Sequence, residues 1–105
     1  MHAIRLRGTG TVEVAAHGVA DAEHLVEKEM RALWSGARIV VTGVSRGAGE
    51  PRIVEEFSLS YRVEATLEAE GEDEKAARRA AFRSARDRLA GSRYRNTAWE
   101  VLPAG

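Results

Sequence analysis

Between Phe57 and Glu70 apolar and polar residues alternate without a break, and this stretch constrains the fold more than any other part of the chain. Phe57, Leu59, Tyr61, Val63, Ala65, Leu67 and Ala69 share one parity; Ser58, Ser60, Arg62, Glu64, Thr66, Glu68 and Glu70 share the other. Successive side chains of a strand point to opposite faces, so the pattern predicts a long β-strand with one dry and one wet face. A second strand of this kind is predicted from Ile4 to Ala16, where Ile4, Leu6, Val12, Val14 and Ala16 alternate with Arg5, Arg7, Thr11 and Glu13. Gly8-Thr9-Gly10 interrupts that strand without changing its parity, which points to a bend or a close backbone approach rather than a break.

Helical spacing follows each long strand. Ala22, Leu25, Val26, Met30 and Leu33 mark one apolar face of a helix over about Ala22 to Trp34, with Asp21 as its expected N-cap and Gly36 as its expected C-terminal glycine. A β-branched run from Arg38 to Val44 predicts another strand, and the glycine-rich segment Ser45 to Pro51 predicts a hairpin connection to the long strand after it. A second helix is expected over about Asp73 to Ala90, closed by Gly91. Its apolar face (Ala77, Ala81, Phe82, Ala85, Leu89) is mostly alanine, which allows close approach to a sheet but little burial per turn. A short last strand, Thr97 to Leu102, precedes Pro103.

The order β-α-β-β-α-β predicts a ferredoxin-like α+β two-layer sandwich, a four-stranded antiparallel sheet with two helices on one face. The first and third strands, central in that fold, are the two longest here. Leu59, Val63, Val14 and Leu25 are expected in its core. With 105 residues the chain reads as a single domain, 1–105. No apolar run is long enough for a membrane span, and no signal-peptide pattern opens the chain, so a cytoplasmic location is expected. The absence of cysteine excludes disulfides, Cys-ligated metals and thiol catalysis.

Net charge is zero, but it is unevenly spread: residues 50–74 hold nine acids against two bases, and residues 75–95 hold eight bases against Asp87. On a helical wheel Lys75, Arg79, Arg83 and Arg86 fall within about 80° of one another. That stripe, extended by Arg93 and Arg95, suits phosphate contacts with nucleic acid, but the plainer expectation is a solvated face partly neutralised by the acidic block before it. The wet sheet face carries no aromatic residue, which argues against base stacking there. His17 and His24 flank the turn after the first strand, yet no third metal ligand is recognisable by spacing, and no metal or cofactor is expected. Gly8-Thr9-Gly10 lacks the third glycine of a dinucleotide fingerprint, and Gly43 to Gly49 lacks the P-loop ending. No catalytic constellation stands out, so no enzyme is expected.

The leading expectation is therefore a non-enzymatic, self-associating homo-oligomeric module with room for a small ligand either at the first strand–helix turn, around His17, Gly18 and His24, or at the interface between subunits. The arrangement resembles ACT-type regulatory domains in topology, with Gly18 in the corresponding turn. The rival expectation is a nucleic-acid-backbone binder using Lys75, Arg79, Arg83, Arg86 and Arg93.

Overall fold

The computed structural model describes residues 1–47 and 54–103. The elements run β1 (His2–Ala16), α1 (Val19–Leu33), β2 (Arg38–Arg46), β3 (Glu55–Ala69), α2 (Glu74–Leu89) and β4 (Ala98–Val101). The strands form one antiparallel sheet in the order β2-β3-β1-β4, and both helices cover one face of it, which gives the ferredoxin-like sandwich. β1 and β3 are 15 residues each and pair along their whole length, from His2 opposite Ala69 to Ala16 opposite Glu55. β4 pairs only with Leu6 to Thr9 of β1.

The parity expected for the long strands holds: Ile4, Leu6, Val12, Val14 and Ala16 are buried, as are Phe57, Leu59, Tyr61 and Val63. Val12, Val14 and Ala16 pack against Ala22, Val26 and Met30 of α1. Ile4 and Leu6 pack against Ala77, Ala81 and Ala85 of α2, all three fully buried. Alanine at three successive inward positions lets α2 lie low on the sheet, and Leu89 fills the last one. β2 runs on through Ser45 and Arg46, which were expected in the loop, and a register shift between Val41 and Gly43 bulges it. The Gly47 amide of that expected connection donates to the Glu56 carbonyl at 2.7 Å, and Ala48 to Pro51 lie outside the described residues.

Three local expectations are corrected. α1 starts at Val19 with Gly18 as its N-cap, not at Asp21. Asp21 sits in the first turn instead, and its carboxylate accepts the His17 backbone N–H at 2.9 Å. This satisfies a free donor ahead of the helix in the manner of a capping box. At the other end the C-cap is Trp34, and Gly36 has no positive φ. Trp34 is a buried side chain that turns under α2, so packing ends this helix where a glycine was expected to. Leu25 is only partly buried at the border of the α1 core.

The glycine pair in β1 does provide a close approach. A Cβ on Gly10 would stand 2.5 Å from the Tyr61 hydroxyl oxygen, and one on Gly8 2.8 Å from the Trp99 ring. Tyr61 thus crosses the β1 backbone and reaches the segment between α2 and β4. The Thr97 hydroxyl donates to the Tyr94 carbonyl at 2.7 Å, so it accepts its second hydrogen bond from the Tyr61 hydroxyl. Tyr94 stands edge-on to Tyr61 at 5.5 Å and donates to Glu29 of α1 at 2.7 Å. Burial pushes the ionisation of both tyrosines above the ordinary 10.0; for Tyr94 the hydrogen bond to Glu29 and its negative charge push further the same way, while Arg93 partly opposes them. The native state therefore keeps two protons that the unfolded chain releases above pH 10. Stability is whole below that pH and falls as pH rises beyond it. Unfolding titrations in urea should show this decline between about pH 10 and 11.5, and Tyr94→Phe should flatten it.

Candidate nucleic-acid interface

Asp73 caps α2 by accepting the Ala76 backbone N–H at 2.8 Å, and Gly91, at φ 80°, supplies the left-handed residue after its C-cap. Between these ends the alanine face turns inward, so the cationic side chains must lie outward. Arg86 and Arg88 in the last turn also complement the helix dipole. The outer cations then divide by their partners. Arg78 is held by Glu74 at 3.0 Å, and the Arg88 guanidinium lies 4.7 Å above the centre of the Trp34 ring. Lys75, Arg79, Arg83 and Arg86 are exposed and make no ion pair among the described residues.

Three of those four converge. Arg79, Arg83 and Arg86 line a shallow cleft of about 510 Å³ with Phe82, Asp87 and Trp99. Phe82 comes from the border of the alanine face. Trp99 comes from β4, opposite Gly8, where the missing Cβ lets the indole lie on the strand. The Trp99 and Trp34 ring centres are 5.7 Å apart at 45°, which braces the floor of the cleft. A second groove of about 490 Å³ on the same helix is lined by Ala80, Arg83, Ser84, Asp87 and Arg88. Arg83 is shared by both, and Asp87 is the acid common to them. Glu72, Asp73 and Glu74 crowd the helix start beside Lys75, so the positive field is strongest over the middle and end of α2.

No known family model matches the chain, and no curated protein matches it. Among solved structures it is similar to the crystal structure of an aminobenzoyl-glutamate utilization protein from Klebsiella pneumoniae, at 19% identity and a TM-score of 0.29. That alignment covers 94% of this chain and 27% of the other, so this chain spans about a quarter of that protein's length.

The structure separates the expected stripe from its expected extension. Arg93 does not continue it: its guanidinium turns to Glu29 at 3.4 Å and to the Glu13 carbonyl at 3.3 Å, fastening the α2–β4 segment to α1 and β1. Arg95 folds back on the Ser92 carbonyl at 3.1 Å. His17 and His24 are exposed at the start of α1, and Gly18 serves there as the N-cap. The clefts on α2 are lined by none of these three residues. Among the described residues no three His, Asp or Glu side chains group as metal ligands, and no helix is long and apolar enough to cross a membrane. Phe82 and Trp99 were missed as site residues. The signal for Trp99 was the alternation Ala98, Trp99, Glu100, Val101, which sets the indole on the helix-covered face.

Proposed function

We propose that this domain binds the phosphate backbone of nucleic acid through the outer face of α2. The observation that carries the proposal is the convergence of Arg79, Arg83 and Arg86, which have no ion pair among the described residues, on a cleft floored by Phe82 and Trp99. Guanidinium groups left without carboxylate partners are available to phosphate oxygens, and their fork geometry suits bidentate contact. Aromatic rings at the same place add a surface on which an unstacked base can rest, which favours single strands over duplex. Lys75 extends the row to about 16 Å of helix, at about 1.5 Å per residue.

This mode is electrostatic, and salt exposes it. With three or four phosphates engaged, log K should fall against log salt with a slope of about −2 to −3.6, the lower magnitude for single strands. Fluorescence anisotropy with a labelled oligonucleotide at several salt concentrations measures it directly. Binding that ignores salt, or no binding at low salt, removes the proposal.

A further inference from the structure

The sheet face turned away from the helices carries a row of four charges at one level. Arg38 of β2 lies opposite Glu64 of β3, Glu64 opposite Arg7 of β1, and Arg7 opposite Glu100 of β4. In strand order the row reads plus, minus, plus, minus. Arg7 joins its neighbours at 3.0 Å to Glu64 and 3.7 Å to Glu100. The next level, towards the bulge in β2, is Val40, Arg62, Thr9 and Ala98, followed by Ser60 opposite Thr11. Apart from its charged row and Arg62, the middle of this face is built of small side chains.

We infer that a second copy of this chain docks on this face, about a two-fold axis that runs along the strands between β1 and β3. Such an axis exchanges left and right across the sheet without changing level. It lays Arg38 over Glu100 of the second copy and Glu64 over Arg7, so all four positions of the row meet the opposite charge. The same operation sets every residue of β1 over the register partner it already has in β3. Arg62 then faces Thr9, Glu13 faces Ser58 and Arg5 faces Thr66, and no like charges meet on the central strands. An axis running across the strands at the level of the row would instead lay Arg7 on Arg7 and Glu64 on Glu64. The arrangement is self-complementary, as a two-fold interface requires. Aligned sheets pack about 10 Å apart, which short Thr, Ser, Ala and Gly residues permit in the middle of the face. At about 4.8 Å by 3.3 Å of sheet per strand residue, the face offers roughly 700 Å² per copy. Under this axis β1 and β3 overlap fully while β4 covers only three levels of β2, so two copies would bury roughly 1,100 Å², above the about 1,000 Å² expected of a specific interface. The helices then lie on the two outer surfaces, so this inference does not depend on what α2 binds.

A charge exchange tests it. Arg38 and Glu100 are exposed and sit on opposite edge strands, three strand spacings or about 14 Å apart, so they cannot pair within one chain. Arg38→Glu alone, or Glu100→Arg alone, places like charges over each other twice per dimer and should weaken association at least tenfold by sedimentation. The double variant restores both facing pairs and should return to within about threefold of the unmodified chain. Inside a single chain the two changes only add unfavourable neighbours, a new acid beside Glu64 and a new base beside Arg7, so a rescue can come only from contact between copies. Circular dichroism confirms that each variant is folded. A monomer at high micromolar concentration overturns the inference, as does a single variant that associates unchanged or a folded double variant that fails to recover.

Discussion

Replacing Tyr61 with alanine should destabilise the domain by about 3–5 kcal/mol, a large share of the roughly 5–15 kcal/mol that holds a small domain together. Tyr61 is buried in the middle of β3, its ring lies across the backbone of Gly10, and its edge contact with Tyr94 spans from the sheet to the α2–β4 segment. Removing the ring leaves a cavity bounded by a strand that cannot collapse inward, because β1 is pinned along its whole length to β3. The Thr97 hydroxyl also loses the donor that reaches it from β3. Tyr61→Phe separates the two effects: it keeps the packing and removes only the hydroxyl, which should cost about 0.5–1.5 kcal/mol. Urea unfolding of both variants measures the difference. If alanine and phenylalanine cost the same, the ring is not the keystone its position makes it.

The second large effect concerns α2. Replacing Arg79 and Arg83 together with glutamate should weaken oligonucleotide binding by about 100-fold or more at about 50 mM salt and lower the salt slope by about two. Both side chains are exposed and have no carboxylate partner among the described residues, so the change leaves the folded core untouched while reversing the field over the cleft. Arg78 and Arg88 provide the control. Each already has an internal partner, Glu74 and the Trp34 ring, and reversal at either should change nucleic-acid affinity far less. Equal losses from Arg79/Arg83 and from Arg78 would mean a diffuse attraction to net charge and no defined cleft.

The long strands were legible because their alternation is a backbone property that tertiary context only reinforces. The helices carry ion pairs one turn apart, Glu27 with Arg31 and Glu74 with Arg78, which sequence spacing alone brings together for the same local reason. The helix ends were less legible. Asp21 has the chemistry of an N-cap, but an acid three positions into a helix uses the same carboxylate to reach back, and sequence does not separate the two. The segment from Ser92 to Thr97 was illegible altogether. Tyr94 is fully buried there without any periodicity to announce it, held by Tyr61 and Glu29, which are distant in sequence. Arg93 followed from the same gap: counted as a continuation of the basic stripe, it is a fastener because this segment folds back over β1. The aromatic floor of the cleft depended on the shortest strand, where four residues of alternation carry little weight until Gly8 shows room for an indole.

β1 changes character halfway along its length. From Arg5 to Thr9 it is an interior strand, with β3 on one side and β4, or the Leu102 amide that bonds the Arg5 carbonyl, on the other. From Thr11 onward only β3 pairs with it among the described strands, and its alternate amides at Thr11, Glu13 and Ala15 point to the side β4 does not reach. Solvent hydrogen therefore has two very different routes into a single strand. Hydrogen exchange should find Val12 and Val14 protected until the β1–β3 ladder opens, and Thr11 and Ala15 exchanging faster. The Arg93 guanidinium on the Glu13 carbonyl clasps that margin from a position 80 residues away, so the kinetics of this half-strand depend on a distant side chain.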